Sequence, residues 1–229
     1  MLSLEAVQDH ELVALAASCP PGPGCAGPVG LYHETIGGSW GQVASIRTDA
    51  SRASVAVHGA DVWVLAGSAV YYSTNGGSTF NSESGPRRCD ADSLTSDGAH
   101  LYLLCVGQGF TGHTIKYVYA TTGPGAGWTL VGRPPTPGDG GEISAGSERA
   151  IVIASASAAG WLYRSTDGGH RWSTALSVDN GGAPWGDLGF TTTSDAVVID
   201  GPAVTGPSGL PGKLLLSSDG GRAWQSVSF

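Results

Sequence analysis

Short apolar runs alternate with polar turns from one end of the chain to the other. Leu2 to Ser18, LSLEAVQDHELVALAAS, could line a helix, but Gln8-Asp9-His10-Glu11 divides it into two apolar runs. The same arrangement recurs downstream, which favours a pair of strands. His58-Gly59-Ala60-Asp61 separates ASVAV from VWVLAG, and Ser96-Asp97-Gly98 separates CDADSL from HLYLLCVG. Gly146-Ser147-Glu148 precedes AIVIASA, and Thr193-Ser194-Asp195 precedes AVVIDG. Runs of this length bounded by turn residues read as β-strands.

A second repeat alternates with these turns. SSDGGRAW (Ser217 to Trp224), STDGGHRW (Ser165 to Trp172) and STNGGSTF (Ser73 to Phe80) each follow an apolar run. Their key residues are Ser73, Asn75, Gly77 and Phe80, then Ser165, Asp167, Gly169 and Trp172, then Ser217, Asp219, Gly221 and Trp224. The Asp or Asn and the Ser hydroxyl can hydrogen-bond the backbone of their own turn. Paired glycines supply the positive φ angles of a tight hairpin. The aromatic starts the return strand and can bury its ring. TTGPGAGW (Thr121 to Trp128) and ETIGGSW (Glu34 to Trp40) are degenerate copies, with Gly123 and Ile36 where Asp would stand.

These turns resemble the Asp-box, or BNR, repeat of sialidase-like β-propellers, Ser-x-Asp-x-Gly-x-Thr-Trp. The first and third positions and the second glycine match, as does Thr79; Arg171, Ala223, Asn75 and Phe80 depart from the pattern. In that family the box marks the fold, not the chemistry. The resemblance implies an all-β chain. Units of roughly 40 to 50 residues suit four-stranded blades. Each unit reads as strand A, polar turn, strand B, loop, strand C, box turn, strand D. Five units fill the chain as one five-bladed propeller of antiparallel blades, with approximate limits 1–45, 46–84, 85–133, 134–178 and 179–229. Ala223 to Phe229 is expected to share a blade with Leu2 to Val7, or to pack directly beside it, leaving few sheet edges open. A β-sandwich, or a piece of a larger propeller, is the alternative.

Composition sharpens this picture. With 37 glycines and 13% charged residues, the chain suits many short strands and turns better than long surface helices. A net charge of −8 argues against nucleic acid or an anionic membrane as partner. No apolar run approaches the roughly 20 residues of a membrane span. The six histidines show no HxH or HExxH spacing, so no metal or cofactor is expected.

Cys19 and Cys25 flank a short CPPGPGC loop, and Cys89 and Cys105 flank the Ser96-Asp97-Gly98 turn almost symmetrically. If that turn joins antiparallel strands, the second pair of sulfurs faces across the ladder. Four reduced buried thiols are the alternative; two disulfides would imply an oxidising, extracytoplasmic compartment. Met1 is not followed by a basic and apolar segment, so a mature form whose export signal was removed is expected.

Topology puts the A–B turns and box turns on one side of the disc. The B–C loops and the D-to-A crossovers lie on the other, where propeller ligands usually bind. Glu5, Arg52, Arg88, Glu142 and Asp187 stand near the starts of successive A strands. Arg52 and Arg88, with Arg47, Arg87 and Arg133, could bind an anion or sugar. Trp185 could stack, His113 lies in the Gly107 to Thr114 loop with Phe110, and Glu142 and Asp187 are acid/base candidates. The same charges also read as solvated loop residues.

Sialidases that carry this box use six blades, an Arg-Ile-Pro segment, three arginines and a Tyr/Glu pair with an Asp acid. This chain has no Arg-Ile-Pro, so no catalytic residue carries over. The expected function is a secreted binding or scaffold module for a glycan or protein. A glycoside hydrolase and a structural subunit of a larger assembly are the alternatives.

Overall fold

The computed structural model describes residues 3–7, 11–17, 29–35, 39–46, 53–58, 61–201 and 212–227. Twenty strands form five four-stranded antiparallel sheets, and no helix occurs among the described residues. The first sheet holds β1 (Ser3–Val7), β2 (Glu11–Ala17), β3 (Val29–Thr35) and β4 (Ser39–Ile46). The second holds β5 (Ala53–His58), β6 (Asp61–Ala66), β7 (Ala69–Ser73) and β8 (Asn81–Glu83). The third holds β9 (Asp90–Ser96), β10 (Leu101–Phe110), β11 (His113–Thr121) and β12 (Thr129–Gly132). The fourth holds β13 (Glu142–Ser147), β14 (Ala150–Ala156), β15 (Gly160–Ser165) and β16 (Ser173–Val178). β17 (Trp185–Phe190), β18 (Ala196–Asp200), β19 (Lys213–Ser217) and β20 (Gln225–Val227) complete the fifth. The protein is a five-bladed β-propeller.

Each blade is a meander of consecutive strands. β20 therefore pairs with β19 and β1 with β2, so the two termini contribute to different sheets. The expected sharing of one blade by Ala223 to Phe229 and Leu2 to Val7 is not formed. A chain that completes each meander locally leaves no strand vacancy for the other terminus to fill.

In the second, third and fourth blades the second strand is apolar on both faces because a neighbouring blade covers each. In β14, Ile151 and Ile153 point to the third blade and Val152 and Ala154 to the fifth, all at most 1% exposed. β10 repeats this, with Tyr102 and Leu104 facing the fourth blade and Leu101, Leu103 and Cys105 the second. Four apolar clusters result, one in each joint from the first-to-second blade to the fourth-to-fifth. Fully burying each such side chain contributes roughly 1.5–3 kcal/mol.

The first strand of a blade is an inner edge, and in the third, fourth and fifth blades side chains of the preceding blade satisfy some of its backbone N–H groups. Ser54 Oγ accepts from Leu94 N (3.2 Å), Ser93 Oγ from Ile143 N (3.3 Å), Thr95 Oγ1 from Ala145 N (3.2 Å) and Ser144 Oγ from Phe190 N (3.1 Å). These joints were not anticipated from sequence. The polar residues that interrupt the inner strands carry the signal.

Cys89 and Cys105 form a disulfide. A bulge after Leu104 pairs Cys105 with Ala91, so the bond runs from β10 to the residue just before β9 and not straight across the ladder. Closing a loop of this size restricts the unfolded chain by about 3 kcal/mol. Cys19 and Cys25 lie outside the described residues.

The three glycine turns share one geometry. Ser73, Ser165 and Ser217 are at most 5% exposed. Each Oγ donates to the Oδ1 of Asn75, Asp167 or Asp219 (2.8, 3.0 and 2.9 Å). Each Oγ also accepts from Gly77, Gly169 or Gly221 N, at 2.9 Å in all three. The carboxamide or carboxylate accepts onward from Thr79, Arg171 or Ala223 N (3.0, 2.8 and 3.0 Å). Trp172 and Trp224 Nε1 donate back to Gly169 and Gly221 O (2.8 and 3.1 Å).

Backbone N–H donation from Arg171 to Asp167 and from Ala223 to Asp219, with the serine hydroxyls helping, holds both carboxyls below the usual Asp value. A carboxyl depressed on folding stabilises the folded state above its unfolded pKa, and that contribution disappears as pH falls through the folded value. Amide exchange followed from pH 7 to 3 should therefore show Arg171 and Ala223, whose N–H groups donate to the carboxylates, losing protection while Thr79, which donates to neutral Asn75, keeps it. Equal loss at all three would refute the carboxylates as the cause.

Candidate functional site

Among the described residues, the face opposite these turns carries a projecting hairpin of the third blade and the crossover from the third blade to the fourth. β10 and β11 run beyond their neighbours: β9 begins opposite Val106 and β12 ends opposite Val118. The projecting part is a β-hairpin, with Phe110 paired to His113 across a two-residue turn, where a loop was expected from Gly107 to Thr114. Phe110 stands 62% exposed at its tip. Arg133 lies over the Tyr117 ring, 5.2 Å from its centroid.

Lys116, on the stem of this hairpin, is fully buried. Its Nζ lies within hydrogen-bond reach of five backbone carbonyls: Gly138 (2.8 Å), Thr136 and Pro137 (3.0 Å each), Thr114 (3.3 Å) and Pro135 (3.4 Å). Burial pushes the amine down to about 8, against the pull of Asp139 and Asp92. The ammonium thus gathers the crossover from β12 to β13 around itself. Tyr163 Oη donates to Pro137 O (2.9 Å), Ser155 Oγ to Gly140 O (2.6 Å) and Gly141 N to Asp92 Oδ2 (2.5 Å). Backbone bonds from Thr114 N to Thr136 O (3.0 Å) and from Gly138 N to Gly112 O (3.1 Å) tie the crossover to the hairpin. Sequence gave no warning of this: a lone Lys in an alternating strand looks like a solvent-facing residue.

Glu142 and Asp187 are brought together at the starts of adjacent inner strands. Glu142 Oε2 accepts from Leu188 N (2.9 Å), so this carboxylate takes part in the joint between the fourth and fifth blades. Burial raises its pKa, and the charges of Asp187 and Asp92 raise it further, while the Leu188 bond opposes them. Asp187 is exposed with φ 52°.

Arg88 is exposed with φ 61° and closes the crossover into the third blade, and exposed His113 bridges to Pro137. Both belong to the third blade, Arg88 just before β9 and His113 as the first residue of β11. Trp185 departs from its expected stacking role. It is 9% exposed, sits in the cluster between the fourth and fifth blades, and donates from Nε1 to Ser155 O (3.0 Å). An indole placed at the first residue of an inner strand meets the adjoining blade before it meets solvent. Arg52 and Arg47 lie outside the described residues. Among the described residues no group of three or more His, Cys, Asp or Glu could hold a metal ion.

No protein-family model matches the sequence, and no curated protein matches it. Solved structures do match in fold. A protein from Dyadobacter fermentans, titled as being of unknown function, is 10% identical with a TM-score of 0.63, covering 99% of this chain and 81% of that one. The Hadza microbial sialidase Hz136 is 12% identical with a TM-score of 0.61 over 87% of this chain, which spans about half (52%) of the sialidase. YCF48 from Cyanidioschyzon merolae is 14% identical with a TM-score of 0.46, covering 99% of this chain and 84% of that one. At these identities the likeness is one of fold, and the fold shared is the β-propeller.

Proposed function

We propose that this propeller is an extracytoplasmic binding module that recognises a protein ligand through the rim of its third and fourth blades. The observation that carries the reading is the projecting β10–β11 hairpin, pre-organised by Lys116, tipped by a 62% exposed Phe110 and carrying the Arg133–Tyr117 stack on its stem. Rigid aromatic and Arg side chains are the residue types that dominate binding energy at protein interfaces, and pre-organisation lowers the entropy lost on binding. A convex, protruding Phe suits a pocket on a partner better than it suits a sugar ring. The Cys89–Cys105 disulfide supports an oxidising compartment.

Probing a peptide array and a glycan array with the whole chain tests this. The expected result is peptide binding weakened at least tenfold by Phe110→Ala with Arg133→Ala, with the unfolding midpoint unchanged. Binding confined to glycans would overturn it.

The second reading is a glycoside hydrolase, favoured by Glu142, a carboxyl raised by burial beside exposed Asp187. It requires turnover of chromogenic glycosides that disappears in Glu142→Gln.

A further inference from the structure

The aromatic that follows each turn packs into the joint with the preceding blade. Phe80 joins the first-to-second cluster, Trp128 the second-to-third, Trp172 the third-to-fourth and Trp224 the fourth-to-fifth. Trp40 holds the corresponding place in the first blade and is 43% exposed. It lies on the same sheet face as Tyr32 and Gln42, opposite the face that packs on the second blade.

The fifth blade carries the matching vacancy. Ile151 pairs with Ser165 in the fourth blade and Ala196 with Ser217 in the fifth, so Asp195, Val197 and Leu216 are the counterparts of Ala150, Val152 and Arg164. In the fourth blade those residues seat the next blade's glycine turn: Arg164 Nε donates to Gly220 O (2.5 Å), and Gly220 and Gly221 abut Ala150 and Val152. In the fifth blade their counterparts line an open cavity of about 510 Å³; Val197 is only half-buried where Val152 is fully buried, and Leu216 is 38% exposed. Inner strands abut from β1 to β5, β9, β13 and β17, but among the described residues β17 makes no contact of similar extent with β1.

We propose that Trp40 and the cavity around Val197 and Leu216 are the two halves of a latch that closes the ring within one chain, making the seam between the first and fifth blades the joint at which this propeller opens. The occupant is this chain's own first blade, because the cavity continues four existing blade joints and Trp40 repeats the side chain that fills each of them. Tethering in one chain also gives the contact an effective concentration in the millimolar range. Exposed apolar surface on both facing sheets is what an unfastened joint leaves behind.

A double-mutant cycle on Trp40→Ala and Leu216→Ala, read by urea unfolding, tests the latch, with sedimentation of each variant alongside. Both residues are partly exposed, so the variants fold. The expected result is a roughly fivefold drop in the folding equilibrium constant for each single variant, no further drop for the double variant, and a monomer throughout. Additive losses would show that the two residues do not meet. Coupling that appears only in a dimer would place another copy's first blade in the cavity, and either result overturns the proposal.

Discussion

Replacing Lys116 with Met should lower stability by about 3–5 kcal/mol, the scale of stripping one partner from a buried charged network. The side chains are similar in length, so packing volume is nearly conserved. What changes is that the carbonyls of Thr114, Pro135, Thr136, Pro137 and Gly138 lose their shared donor. Each buried acceptor left unpaired costs about 1–3 kcal/mol, although Pro137 keeps its bond from Tyr163 and Thr136 its bond from Thr114 N. Relief of the ammonium's desolvation works in the opposite direction, and it is the reason the amine sits as low as about 8. Five acceptors converge on one cation, so the losses outweigh that relief. Urea unfolding should show the drop, and amide exchange should show residues 133–141 opening first. A loss under about 1 kcal/mol would mean that the crossover holds its shape without the lysine.

Substituting the second glycine of a turn should cost more than substituting the first. Gly221 has φ 79°, and a β-carbon there would drive into the Val152 side chain, which is stiff, β-branched and fully buried. The left-handed backbone costs an alanine roughly 1 kcal/mol, and overpacking a core adds typically 1–3 kcal/mol. Gly221→Ala should therefore lose about 3 kcal/mol. Gly76 has φ 66° with open space around it, so Gly76→Ala should lose only the backbone part, about 1 kcal/mol. Thermal or urea unfolding of the two variants separates these values. Equal losses would show that the second glycine is there only for its φ angle and not for the approach of the preceding blade.

The architecture was legible in the sequence because its determinants are local. Alternating apolar runs, a Ser–Asp–Gly–Gly turn and an aromatic each act over a few residues, and the blades repeat them. Reading the Leu2 to Ser18 stretch as two strands succeeded for the same reason, since β1 and β2 flank its polar break. The rim was not legible in this way. Lys116 acquires its role from a crossover about twenty residues later in the chain, and Glu142 from a backbone N–H on the next blade. Trp185 looked like an exposed platform because its loop is polar, yet its ring is claimed by the fourth blade. The two-residue hairpin turn at Thr111–Gly112 went unseen because the glycines around Phe110 resemble a loop. Long-range pairings of this kind leave no period in the sequence.

In the proposed function, turn and rim divide the molecule into a face that fixes the fold and a face offered to a ligand. Hydrogen exchange of the whole chain, with and without a saturating peptide found on the array, tests that division most directly. The account predicts new protection at residues 107–117 and 133–141, with none at the glycine turns of residues 73–80, 165–172 and 217–224. Protection centred on those turns, with the β10–β11 hairpin unchanged, would contradict it.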